Sequence, residues 1–238
     1  MLFRSTFKTN APIRSSVNAT LGHAFFGSDD GTLYAVRLNT GRLVWKFDAG
    51  APIRSKPAVT SERIVFGNEE GDLIGVDLSG TMKWRFKAKR AITSSPAIQD
   101  DIAYVGSVDW HVYAVDVNNG WAAWRVRTTK PIVSSPLIVG NQLFVGSADN
   151  FMYALDINAN GRELWKFEAK NQIVSSPVFA NGAIYFGSVD QNIYSVETKK
   201  GKLRWSFAAQ GPIVASGTLA DGRLYIGSMD HTIYALNA

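Results

Sequence analysis

The chain has 238 residues, 46% of them hydrophobic, with 25 Lys and Arg against 20 Asp and Glu, a net charge of +5 and no cysteine. That length buries a full core without a covalent staple, and the missing cysteines exclude a disulfide framework, a thiolate metal site and a cysteine nucleophile. No apolar run approaches the roughly 18 residues that a membrane helix needs, and the opening MLFRSTFKTN lacks the apolar stretch of a signal peptide, so no membrane span and no targeting signal are expected within this chain.

A Gly recurs as Gly27, Gly67, Gly106, Gly146, Gly187 and Gly227, and a Trp as Trp45, Trp84, Trp124, Trp165 and Trp205, at spacings of 39 to 41 residues. A period near 40 sustained over a whole chain marks a repeat architecture. Within the unit from Pro131 to Ala169, strands are predicted at Ile132–Ile138 (A), Gln142–Gly146 (B), Phe151–Asp156 (C) and Glu163–Ala169 (D). Strand D has the clearest period-2 pattern, Leu164, Lys166 and Glu168 alternating with Trp165, Phe167 and Ala169. Positive-φ turn residues mark the A–B connections, among them Asn181-Gly182 and Asp221-Gly222, and a Gly stands four residues before each Trp. No helical stripe lasts three turns. The chain is all-β.

The last unit ends after strand C, and residues 1–10 align with the strand D that it lacks, Phe7 opposite Phe207 and Phe3 opposite Leu203. The expected fold is therefore a six-bladed β-propeller of four-stranded antiparallel blades in one domain, residues 1–238, closed by its N-terminal strand. Small residues (Ser15-Ser16, Ser94-Ser95, Ser134-Ser135, Ser175-Ser176, Ala215-Ser216) place strand A at the crowded axis. The Trp of strand D belongs at the wide rim.

Gly146-Ser-Ala-Asp-Asn-Phe-Met-Tyr-Ala-Leu-Asp156 followed by Gly161-Arg-Glu-Leu-Trp165 resembles the pyrroloquinoline-quinone-like (PQQ-like) propeller repeat, as do Gly187-Ser-Val-Asp190 with Tyr194 and Gly227-Ser-Met-Asp230 with Tyr234. The resemblance covers all six units. It implies a fold that serves quinone-dependent dehydrogenases, a protein-binding outer-membrane-assembly lipoprotein and extracytoplasmic domains of bacterial serine/threonine kinases. The dehydrogenases of this family have eight blades, long loops, calcium and a catalytic Asp. None of their ligands maps onto a position here, so no cofactor, no metal and no catalytic residue is expected, with a PQQ-dependent quinoprotein as the alternative. The resemblance implies an extracytoplasmic place if the chain is part of a longer protein.

Fold does not give function, so departures from the repeat carry the argument. An acid recurs at Asp30, Glu70, Asp109, Asp149, Asp190 and Asp230, and this recurrence points to turn structure rather than to a cation site. The residues after it vary: Trp110, His111, Phe151 and His231 are large where a hairpin asks for small polar groups. They are expected to anchor a partner on the loop face, against the alternative that Trp110 and Phe151 lie over a neighbouring blade. Arg14 and Arg54 replace Thr93, Val133, Val174 and Val214 at the start of strand A, and Arg85, Lys87, Lys89, Arg90, Arg125, Arg127 and Lys130 follow on the outer strands. Arg14 and Arg54 are expected to form a basic half-rim for a small anionic ligand or an acidic protein surface. Nucleic acid is not expected, because no aromatic and basic residues interleave along a track. A Ser107, His111 and Asp109 triad would have to converge within one hairpin and is set aside. The reading is a non-catalytic binding domain: a sensor in a larger receptor such as a kinase, or an assembly scaffold.

Overall fold

The computed structural model describes residues 5–238. Six antiparallel sheets account for them, five of four strands and one of three. The first holds β1 (Asn18–Thr20), β2 (His23–Gly27), β3 (Thr32–Arg37) and β4 (Leu43–Asp48); the second β5 (Ala58–Val59), β6 (Arg63–Gly67), β7 (Asp72–Asp77) and β8 (Met82–Lys87). The third holds β9 (Ala97–Gln99), β10 (Ile102–Gly106), β11 (His111–Asp116) and β12 (Ala122–Arg127); the fourth β13 (Leu137–Val139), β14 (Gln142–Gly146), β15 (Phe151–Asp156) and β16 (Arg162–Glu168). The fifth holds β17 (Val178–Ala180), β18 (Ala183–Gly187), β19 (Asn192–Glu197) and β20 (Leu203–Ala208); the sixth β21 (Thr218–Ala220), β22 (Arg223–Gly227) and β23 (Ile233–Asn237). Consecutive strands are neighbours in every sheet. The chain divides into two compact units, Met1–Ser107 with Ala114–Ala123 and Val108–Tyr113 with Trp124–Ala238, the division running through the third sheet. Among the described residues no helix is long and apolar enough to cross a membrane.

Burial explains the sequence pattern. The two middle strands are covered on both faces, so Leu143–Gly146 and Met152–Leu155 are buried without alternation. The outer strand β16 alternates half-buried Trp165 and Phe167 with exposed Lys166 and Glu168. Each Trp stands opposite a small residue on strand C: Trp45 on Ala35, Trp84 on Gly75, Trp165 on Ala154 and Trp205 on Ser195. The indole then reaches the next sheet. Trp165 Nε1 donates to Thr198 O at 2.8 Å and its ring lies against Gly201, whose φ of +68° closes the C–D turn; a side chain there would strike the ring. Trp45 and Trp84 repeat the arrangement on Leu78 O and Val117 O.

One expectation is corrected. The inner strand of the fourth sheet, predicted over Ile132–Ile138, pairs only from Leu137 to Val139. The reason lies in Ser134: its buried hydroxyl accepts the Gly146 N–H at 3.2 Å, so a side chain stands where ladder pairing would begin. In the fifth sheet the latch is complete, Ser175 Oγ accepting from Gly187 N at 2.9 Å and donating to Gly187 O at 2.8 Å. Smallness is thus only part of why serine stands there. Ala215 occupies the position in the sixth sheet and makes no latch.

The N-terminal segment bears on the expected completion of the sixth sheet. The sixth sheet has three strands, and residues 5–10 lie in none; residues 1–4 of the expected strand fall outside the described residues. Ser5 to Asn10 packs against the first sheet, making the contacts that an outer strand makes on the sheet following it. The Phe7 ring meets Phe26 and Tyr34 edge-on at 6.0 and 5.3 Å, as Phe167 meets Phe186 and Tyr194 at 5.9 and 5.2 Å. Ser5 lies against Gly41 where Trp165 lies against Gly201.

Candidate functional site

The loop end of every sheet but the second, where Asn68 serves, is built from the Gly-Ser-x-Asp turn. In the fifth sheet Asp190 Oδ1 accepts Asn192 N at 2.9 Å. Its Oδ2 accepts the Tyr194 hydroxyl at 2.7 Å and Lys170 N, from the preceding connection, at 2.8 Å. Asp30, Asp149 and Asp230 repeat all three bonds, and Asp109 makes the bonds to His111 N and Tyr113 Oη. Burial raises the Asp190 carboxyl, but these donors outweigh it and hold it below its ordinary value. The same balance holds Asp30 low and brings Asp230 down to about 2. Each of these aspartates is used up inside its own sheet, as a turn former. Ser107 is likewise taken, its hydroxyl donating to Arg90 O and Ala91 O at 3.1 Å.

The structure brings Arg14 and Arg54 together, but as ion pairs. Arg14 Nε lies 2.9 Å from Asp29 Oδ2, Arg54 Nε 3.0 Å from Asp29 Oδ1, and Arg54 NH1 3.4 Å from Glu69 Oε1. The Arg54 hydrogen bond outweighs partial desolvation and, with Arg14, holds Asp29 below the usual carboxylate value. Arg85 and Lys87 are similarly drawn to the buried Asp72, at 3.6 and 3.1 Å. The expected basic half-rim is therefore largely neutralised by acids that the sequence reading did not pair with it.

The aromatic candidates sit in turns of the third, fourth and sixth sheets. Trp110 has φ of +76°, in a turn where other sheets place Gly31, Gly71, Asn150, Gln191 or His231, and it is the bulkiest side chain strained there. It is 36% exposed, and the Arg127 guanidinium stands 5.7 Å from its ring centre. His111 folds back on its own turn, Nδ1 3.0 Å from Asp109 O and 3.2 Å from Asp109 Oδ1, its ring 5.5 Å from Tyr113. Phe151 lies 6.1 Å from Tyr153 with Lys166 Nζ 4.8 Å from its ring centre. His231 is exposed at φ +69°. Trp110 is thus an exposed and strained side chain, whereas His111 and Phe151 are tied to their own sheets.

Three departures escaped the sequence reading. Trp121 is 78% exposed at a turn position where other units carry Arg42, Thr81, Arg162 and Lys202. Lys56 replaces the second serine of the Ser-Ser pair, and its backbone N–H donates to Ser95 Oγ at 3.0 Å. Asp29 and Glu69 give way to Val108, Ala148, Val189 and Met229, in step with the change from Arg14 and Arg54 to Thr93 and then valine. That correlation between two positions of the repeat was visible in the sequence.

Six meandering antiparallel sheets, five of them with a Trp-bearing outer strand, define a repeat protein of the β-propeller class. Residues 3–221 match the family described as the beta-alanine-activating enzyme, beta-propeller, and the chain belongs to that family. Among curated proteins none matches its sequence. Among solved structures the chain is similar to the computationally designed Ika8 protein, with a TM-score of 0.83 at 17% identity over 94% of this chain and 70% of that one. It is also similar to BamB from Moraxella catarrhalis, with a TM-score of 0.67 at 17% identity over 96% of this chain and 84% of that one. At such identities the likeness is one of fold. It agrees with the PQQ-like propeller repeat that the sequence resembles.

Proposed function

We propose that this propeller is a non-catalytic binding domain whose loop end meets a protein partner or a small anionic ligand, serving as an extracytoplasmic sensor of a larger receptor, such as a kinase, or as an assembly scaffold. The observation that carries the reading is Trp110. A turn that glycine or asparagine would close without strain carries instead a Trp that is exposed and flanked by Arg127. Protein-binding members of the repeat family that the sequence resembles support it.

Trp110→Gly tests it. The strain is relieved, so stability should hold or rise, while cross-linking of the intact protein in its native extract should lose a specific partner that the parent retains. A partner captured equally by both removes Trp110 from the interface. Incubation with pyrroloquinoline quinone and Ca²⁺ addresses the alternative: a stoichiometric absorbance change with alcohol-dependent dye reduction would replace the binding reading by a quinoprotein. Completion of the sixth sheet by residues 1–10 is proposed on the sequence pattern. Hydrogen exchange showing the Ile233–Asn237 amides unaltered when residues 1–10 are deleted would argue against it.

A further inference from the structure

The inner strands of the fourth, fifth and sixth sheets and the segments that lead into them, all within one compact unit, form a graded surface that no turn or core requirement explains. At the loop end stand Val133, Val174 and Val214, and Val133 and Val214 are 37% and 46% exposed. Ala148, Val189 and Met229 flank them, fixed by hydrogen bonds from Ala148 N to Pro131 O, Val189 N to Gln172 O and Met229 N to Pro212 O, each 2.9 Å. These are the positions that in the first two sheets hold the ion pairs of Asp29 with Arg14 and Arg54. One part of the chain fills the position with charge pairs. Here it is apolar, with Val133, Val214 and Met229 open to water, the mark of an interaction surface.

Further along the same segments, before each inner strand, comes a row of serines. Ser135 N donates to Ser176 Oγ and Ser176 N to Ser216 Oγ, both at 2.9 Å. The Ser176 and Ser216 hydroxyls therefore act as acceptors within the fold and keep a rotatable O–H to donate. Beyond them lies a groove of about 490 Å³ lined by Leu137, Val139, Val178, Phe179 and Leu219, with Phe179 39% exposed. This is within the usual size of a binding cleft. Around the loop end, Lys130 and Lys170 are exposed and make no ion pair among the described residues, and Arg127 and Lys166 lie over aromatic rings, with Glu168 as the exposed counter-charge.

We propose that these inner strands are a docking track for an extended peptide segment of a protein partner. The segment would present one large apolar side chain to the valine rim, a main-chain carbonyl to the serine hydroxyls, a second apolar side chain to the groove, and a carboxylate to Lys130 and Lys170. A peptide is the ligand class in which apolar side chains alternate with hydrogen-bonding carbonyls at this scale. The inference rests on the protein-binding reading above and deepens it by naming the partner's chemistry and a contact surface apart from Trp110.

Panning the intact chain against a phage-displayed random peptide library, followed by fluorescence anisotropy on synthesised hits, tests the track. Enriched sequences should carry two large apolar residues and an Asp or Glu towards one end. Their Kd should weaken by about tenfold or more in Val174→Asp and in Phe179→Asp, while Trp110→Gly leaves it within about twofold. Phe179→Asp changes a partly exposed side chain, so the fold persists, checked by circular dichroism. Replacing the peptide acid by Lys should weaken binding, and Lys170→Glu should recover part of it. Absence of any enriched sequence, or hits unaffected by both Asp variants, overturns the track. Hits abolished by Trp110→Gly but not by the Asp variants overturn it too, while leaving the protein-binding reading in place.

Discussion

Tyr194 Oη donates a 2.7 Å hydrogen bond to Asp190 Oδ2, four residues back across the turn that joins the two middle strands of its sheet. Burial, the hydrogen bond and the charge of Asp190 together push the Tyr194 hydroxyl well above its ordinary pKa. Because Asp190 also accepts Lys170 N, the pair ties the turn to the chain entering the sheet. Tyr194→Phe keeps the ring stacked on Phe186 but removes the donor. A bond to a charged acceptor in a largely buried setting contributes about 2 kcal/mol. Urea unfolding should show that loss, and an unchanged midpoint would mean that water replaces the hydroxyl without cost.

The acid limb of stability follows from the same turns. Asp30, Asp190 and Asp230 have folded pKa values lowered from 3.8, so the stability they contribute is fully present above about pH 4 and is lost as pH falls through the folded values, about 2 for Asp230. The tyrosines act in the opposite sense. Tyr113, Tyr153 and Tyr194 are raised above 10.0, so their contribution is present below pH 10 and lost as pH rises beyond it. Melting temperature against pH should be flat between the two limbs. Asp190→Asn should shrink the acid limb.

Gly187 begins the turn where the fifth sheet meets the segment entering the sixth. A Cβ at this position would overlap the side chain of Ile213, which is fully buried. Gly187→Ala should destabilise by about 1–3 kcal/mol through overpacking. Adding Ile213→Val should recover part of that loss, and a double-mutant cycle measures the coupling. Simple additivity would show that the backbone shifts instead.

Arg54 and Arg14 compete for one carboxylate. With the Arg54 bond first among the influences on Asp29, Arg54→Ala should raise the Asp29 pKa towards 3.8 by more than Arg14→Ala does. Carboxyl carbon chemical shifts followed through an acid titration read this directly. Equal effects would mean that the two guanidiniums share Asp29 evenly.

What the sequence determined by itself is local or periodic. Hairpin turns need positive φ within two or three residues, so Gly201 and Asn181-Gly182 announced them before any sheet was assembled. The outer strands alternate because one side meets water, and the middle strands do not because both sides are covered. Only the tertiary structure decided which distant groups meet. Ser134 closes on Gly146, 12 residues away, which shortens the inner strand predicted over Ile132–Ile138. Arg54 finds Asp29 across 25 residues and two sheets, which turns an apparent cationic rim into an ion pair. Phe7 meets Phe26 and Tyr34 of the first sheet, contacts that no local pattern states. A period of 40 residues states what each unit is. Charge pairing and edge contacts depend on which residues of neighbouring units come within a few ångströms, and that distance is not written in the period.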